Sequence, residues 1–193
     1  MYFIQGDNTN PLGYWQVSDV GIELTRDQPV SWSAATGLGT GPVYVFPGAQ
    51  VFFWDNGKTG VTVANDISLA GYGTLEDKGG ALRLSGSAVT YSGVITLMGD
   101  ASVAGTGTFN NKFTGPGGLI IGDNWNNGTV TLNSATPCDY SGDTTINSAT
   151  AGGNNSLKIG GASLNNILPH GAGKGNLILN GSSGISWPEL DLN

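Results

Sequence analysis

No window of a dozen residues in this chain is free of Gly, Pro or a cluster of Asn, Ser and Thr. Helices of ordinary length cannot run through such interruptions, because Gly and Pro cost roughly 1 and 3 kcal/mol relative to Ala in a helix interior. Between the interruptions stand short apolar runs: Val43-Tyr-Val-Phe, Val51-Phe-Phe-Trp, Val61-Thr-Val, Ile67-Ser-Leu, Ala81-Leu-Arg-Leu, Val94-Ile-Thr-Leu, Gly118-Leu-Ile-Ile, Thr129-Val-Thr-Leu, Thr144-Thr-Ile, Ser156-Leu-Lys-Ile and Asn176-Leu-Ile-Leu. Several alternate apolar and polar residues, the period-2 mark of a strand with one buried face. Gly, Asn, Asp or Pro follows nearly every run and supplies the turn. The chain is therefore expected to be all-β.

Local words recur. A Leu-x-Leu/Ile element stands at Leu82/Leu84, Leu119/Ile121, Leu157/Ile159 and Leu177/Leu179. A Tyr-Ser-Gly element, with an apolar residue six positions after the tyrosine, stands at Tyr91 and Tyr140. Spacings near 20 and near twice 20 belong to the repeat lengths of solenoids. The prediction is a right-handed parallel β-helix, a solenoid in which each turn buries its apolar residues on the next. An antiparallel sandwich or barrel is the alternative, but it would show hairpins at 8–12-residue spacing. Residues 51–193 carry the repeats. Residues 1–50 hold Trp15, Trp32 and four prolines without a clear repeat, and read as an aromatic-rich N-terminal cap or irregular first turns.

Composition narrows the function. Gly fills 33 of 193 positions, charged residues make up only 11%, and the net charge is −7. The seven basic residues are scattered singly, so nothing neutralises a phosphate backbone, and nucleic acid is excluded as a partner. An anionic membrane surface would repel the chain. No apolar run approaches the ~20 residues of a membrane helix, and the polar start at Met1 does not read as a signal peptide. An export signal is thus expected outside these residues. Cys138 is the sole cysteine, and it reads as an inert thiol with no base at hand.

The words in order carry a resemblance. Gly80-Ala-Leu-Arg-Leu, Val89-Thr-Tyr-Ser-Gly-Val-Ile-Thr-Leu, Asp139-Tyr-Ser-Gly-Asp-Thr-Thr-Ile, Asn155-Ser-Leu-Lys-Ile-Gly and Gly175-Asn-Leu-Ile-Leu-Asn-Gly resemble the autotransporter-associated β-strand repeat of large bacterial surface proteins. The final Glu189-Leu-Asp-Leu-Asn resembles a recurrent phrase of that family, cut before its glycine. The resemblance spans about residues 60–193 and leaves residues 1–50 unmatched. It implies a parallel β-helix exported and displayed outside the cell, without catalytic residues. The expectation is a non-enzymatic structural or adhesive segment that associates with itself through its ends or neighbouring repeats.

A carbohydrate-binding or carbohydrate-active module using a lateral face is the second expectation. Its best residue is Trp125, set among Asn124 and Asn126, because an aromatic exposed in a polar loop offers a sugar an apolar face. Trp54 and Trp187 are lesser platforms. Catalysis on a polysaccharide would need two clustered carboxylates. Asp55, Asp66, Glu76, Asp77, Asp100, Asp123, Asp139 and Asp143 mostly stand in turns, where they are expected to cap their own backbone. Asp123, Asp139 and Asp143 are weak calcium candidates. No cofactor is expected, and His170, in Leu168-Pro-His-Gly, lacks partners for zinc. Neighbouring Asn residues, such as Asn110-Asn111 and Asn154-Asn155, are expected to hydrogen-bond from turn to turn.

Overall fold

The computed structural model describes residues 2–4, 15–17, 21–25, 40–54, 61–74, 79–85, 89–122, 127–149, 153–160, 167–181 and 186–192. Among them are eighteen strands and no helix. In chain order these are β1 (Tyr2–Ile4), β2 (Trp15–Val17), β3 (Gly21–Thr25), β4 (Val43–Val45), β5 (Gln50–Trp54), β6 (Val61–Val63), β7 (Ile67–Gly71), β8 (Leu82–Ser85), β9 (Val89–Tyr91), β10 (Ile95–Gly105), β11 (Gly107–Phe109), β12 (Phe113–Thr114), β13 (Leu119–Ile121), β14 (Gly128–Leu132), β15 (Thr144–Asn147), β16 (Asn155–Ile159), β17 (Leu177–Asn180) and β18 (Pro188–Asp191). Each of the eleven apolar runs read from the sequence coincides with or overlaps one of these strands.

The strands form a twelve-stranded and a six-stranded sheet, in which all pairings are parallel. Among the described residues no hairpin joins sequence neighbours, as an antiparallel sandwich would require. The long strand β10 joins two flanks of the larger sheet. Its start, Ile95 to Leu97, pairs with β7 and β12, and its end, Ala101 to Gly105, pairs with β8 and β13. The register slips between Leu97 and Ala101, where the strand changes flank.

Parallel partners need a long connection between them. Here that connection is a circuit through the other strands. Leaving β8, the chain passes β9 and the start of β10 before it returns to β8 as the end of β10. Three runs recur in fixed order: β4, β7, the start of β10 and β12; then β5, β8, the end of β10 and β13; then β6, β9, β11 and β14. Circuits range from 18 residues, Val103 to Ile121, to 33, Leu157 to Leu190. In the N-terminal stretch, β1 pairs with β3, Tyr2 with Ile22, and β3 with β5, Gly21 with Gln50, in the same parallel manner.

Alternation along each strand decides what is buried. Val43 and Val45 are inside while Tyr44 is half-exposed, and β9, β11, β13 and β15 repeat the pattern. Register then stacks the inward residues into columns: Leu82, Val103, Ile121 and Ile146 in one run, Ile67, Ile95 and Phe113 in another. All seven are at most 1% exposed. Each such side chain contributes roughly 1.5–3 kcal/mol when fully buried.

Aromatic rings fill the centre. Phe53 meets Tyr91 edge-on at 5.4 Å, Tyr91 stacks on Phe109 at 4.6 Å, and Phe109 meets Phe113 edge-on at 4.9 Å. Such offset and edge contacts suit the ring quadrupoles. The corners between the first and second runs are crowded instead. A Cβ added at Gly117 would lie 2.0 Å from the carbonyl oxygen of Gly99, one circuit away, so no side chain fits there.

The Tyr91 hydroxyl is buried with no hydrogen-bond partner, and burial pushes its ionisation well above the ordinary tyrosine value. Leaving a buried hydroxyl unpaired costs about 1–3 kcal/mol. Tyr91→Phe keeps the ring stack and removes that cost, so its urea midpoint should rise by the equivalent of about 1 kcal/mol, with the slope unchanged. Leu97→Ala, which empties part of a column, should lower stability by about 2–5 kcal/mol. A fall in stability for Tyr91→Phe would mean that the hydroxyl is satisfied.

Candidate functional site

Outward side chains of one circuit meet those of the next, and most of the polar chemistry is spent there. Arg83 lies 4.7 Å above the ring of Phe52, its register partner. Lys158 and Asp191, also register partners, pair at 3.3 Å. Asn133 donates to Asn110 at 3.0 Å, Asn180 donates to Asn147 at 3.0 Å, and the Trp187 N–H donates to Asn154 at 2.9 Å. Asparagines thus do bond from circuit to circuit, Asn110 and Asn154 among them.

The aspartates correct one expectation. Asp66 accepts the Val94 N–H at 2.8 Å, Asp100 accepts the Gly118 N–H at 2.8 Å, and Asp143 accepts the Asn176 N–H at 2.6 Å. These carboxylates bind the backbone of the following circuit, not their own turn. The reason is geometric: parallel stacking brings the N–H groups of the next corner within about 4.8 Å.

The candidate residues divide. Asp123, Asn124, Trp125 and Asn126 lie outside the described residues, as do Asp55, Glu76 and Asp77. Asp139 is exposed and bound to Lys112 at 2.8 Å, and this bond is the main reason its carboxyl ionises below the usual range. Asp143 faces a different surface. It lines a groove of about 280 Å³ with Tyr72, Asp100, Gly118, Ile120, Thr145 and Asn147. The structure therefore brings Asp100 and Asp143 to one groove and leaves Asp139 out of that lining. Among the described residues, no group of three or more His, Cys, Asp or Glu is placed to hold a metal ion. His170 is exposed, ahead of a turn closed by the Lys174 N–H on the Gly171 carbonyl. Trp187 is exposed as well.

Tyr72 was missed in the sequence reading. It is the exposed aromatic of this groove, and its signal is the pair of glycines around it, Gly71 and Gly73, both at φ +94°. An aromatic between two such glycines cannot continue the alternation of the strand before it.

Cys138 lies in the core and accepts the Phe113 N–H at 3.3 Å. Burial outweighs that bond and pushes the thiol up to about 11. About a thousandth of it is thiolate at pH 8, so a disulfide reagent should find no thiol in native protein and one after denaturation. The unfolded thiol ionises near 9.0 and the folded one near 11. The raised value favours the folded state fully below pH 9, and that advantage is lost as pH climbs towards 11, by about 2–3 kcal/mol. A Cys138→Ala variant should lose less stability over this window, which alkaline urea titrations would measure.

Among the described residues, no helix is long and apolar enough to cross a membrane. No protein-family model, no curated protein and no solved structure matches this chain.

Proposed function

We propose that the circuits form a right-handed parallel β-helix, and that the chain is a non-enzymatic structural or adhesive segment of a secreted or surface-displayed bacterial protein of the autotransporter-associated repeat type. Fixed order of the three runs, parallel ladders and continuous apolar columns support the coil. Its hand follows the strong preference of parallel crossovers. The repeat words from Gly80 to Asn193 support display outside the cell.

One observation carries the function. β17 is the last strand of its path in the larger sheet and β18 of the smaller. Leu177 and Leu179 continue the columns of Thr144 and Ile146. Yet they are 47% and 54% exposed, where Thr144 and Ile146 are 5% and 0% exposed. Trp187 and Leu192, on either side of β18, are exposed too. Apolar side chains beside a strand edge with unpaired backbone groups fit another circuit of the same spacing. A further circuit of the same repeat fits this edge, and a second copy of the chain seated end to end supplies one. Such a contact is heterologous and does not close, so it propagates into a filament. The net charge of −7 opposes approach, and salt relieves that repulsion.

Electron microscopy and light scattering at rising protein and salt concentration test this reading. The expected result is filaments with an axial rise near 4.8 Å per circuit, promoted by salt. Leu179→Lys should abolish them, and because the residue is exposed the fold should lose less than about 1 kcal/mol. Monomers of the unaltered chain at every concentration would overturn the end-to-end contact.

A further inference from the structure

The lateral groove has the composition of a saccharide site, although neither end stacking nor core packing calls for it. Its floor is Ile120 and Thr145, register partners on β13 and β15 whose inward neighbours are buried. These two outward residues are only half-exposed. They give an apolar strip and a hydroxyl on a rigid sheet. At one side stands Tyr72, 58% exposed.

Tyr72 is held where it is. A Cβ at Gly71 would lie 2.8 Å from the Pro47 Cα, and one at Gly73 would lie 2.7 Å from the Gly80 carbonyl oxygen. Both glycines are thus packed against backbone in a left-handed conformation that other residues rarely adopt. The ring between them is an aromatic platform on a fixed perch. Keeping such a ring in water forgoes the burial that a core position would give, about 2 kcal/mol.

The polar groups are fixed as well. Asp100 and Asp143 each commit one oxygen, Oδ1, to N–H groups of another circuit, Asp100 to Gly118 and Asp143 to both the backbone and the side chain of Asn176. That leaves each carboxylate a second oxygen in a set direction. Asn147 accepts from Asn180 through its Oδ1, which orients its amide so that its N–H groups are donors. The two aspartates are two circuits apart, about 10 Å along the stack. A ligand of more than one ring spans them.

We infer that this groove binds a neutral or amino-sugar oligosaccharide, with a sugar ring on Tyr72, Ile120 beneath it, and hydroxyl or amino groups donating to Asp100 and Asp143. A ring face that is apolar C–H and an edge that is hydroxyl match an aromatic platform beside preordered acceptors. Among the described residues no cation lines the groove, and its two carboxylates disfavour uronates and other acidic sugars. The inference does not depend on filament formation: Asp143 and Asn147 border β17 through Asn176 and Asn180, but the platform Tyr72, on which the test turns, follows β7, whose ladder partners are β4 and β10.

Isothermal titration of the whole chain with cellotriose, N-acetylchitotriose, chitosan trimer and trigalacturonic acid tests it. At least one of the first three should bind with a Kd below about 1 mM, and trigalacturonic acid at least tenfold more weakly. Tyr72→Ala should weaken binding tenfold or more at an unchanged melting temperature, while Tyr72→Phe keeps most of it. Asp143→Asn retains an oxygen for Asn176 but drops the charge, so it should narrow the gap between neutral and acidic trimers. Absence of heat with all of the first three sugars at millimolar concentration overturns the inference. So does binding that Tyr72→Ala leaves intact, or a preference for the acidic trimer.

Discussion

Backbone hydrogen bonds between successive circuits are what everything else in this protein rests on. Each strand presents its N–H and C=O groups along the stack, and strands inside the two edges of each sheet find partners one circuit away on both sides. The ladder fixes register, register turns scattered Leu, Ile and Val residues into columns, and columns hold the rings of Tyr91, Phe109 and Phe113 against each other. Corners extend the same logic. The Gly117 N–H reaches Leu97, the Gly142 N–H reaches Gly117, and Asp100 and Asp143 bind the N–H groups that the strands leave over. A carboxylate in this setting serves as an extra rung.

The inward and outward faces were legible in the sequence because alternation is local. Val43-Tyr-Val and Ile67-Ser-Leu each state their own burial, whereas Leu119-Ile-Ile, apolar throughout, does not show that Ile120 faces out. Phase was not legible. Leu82, Leu119 and Leu177 do fall in one run, on β8, β13 and β17, but Leu157 with the same word falls in another, on β16. The spacing of 20 from Leu157 to Leu177 is therefore no circuit at all. Likewise Tyr91 ends β9 in the third run, whereas the residues beside Tyr140, Asp139 and Ser141, bond to Phe113 and Gly115 in the first. One word serves different faces because every face demands the same thing, an apolar residue inside and a glycine at the corner. Which face a word occupies is decided by the lengths of the loops between, and those carry little pattern.

Candidate chemistry was legible only where it depended on residue type. Asp100 and Asp143 stood in the sequence among eight candidate carboxylates expected to cap turns, and their shared groove required the circuits between them. Tyr72 carried a weak local mark, its two glycines, and was lost among many glycines that only turn the chain. The function that a stack of this kind serves is therefore written on its outside, in residues that the ladder does not constrain.

Circuit length itself has a consequence for how such a chain can change. Between the shortest circuit of 18 residues and the longest of 33, the columns inside keep their register. Closing the longer loop costs only about half a kcal/mol more in chain entropy. The wall thus tolerates length in the loops between its runs, though not at tight corners such as Gly117, where the neighbouring circuit leaves no room for a side chain. Insertions in those loops can carry new surface at almost no thermodynamic penalty, while a single residue added within a strand would turn that strand's inward residues to the solvent.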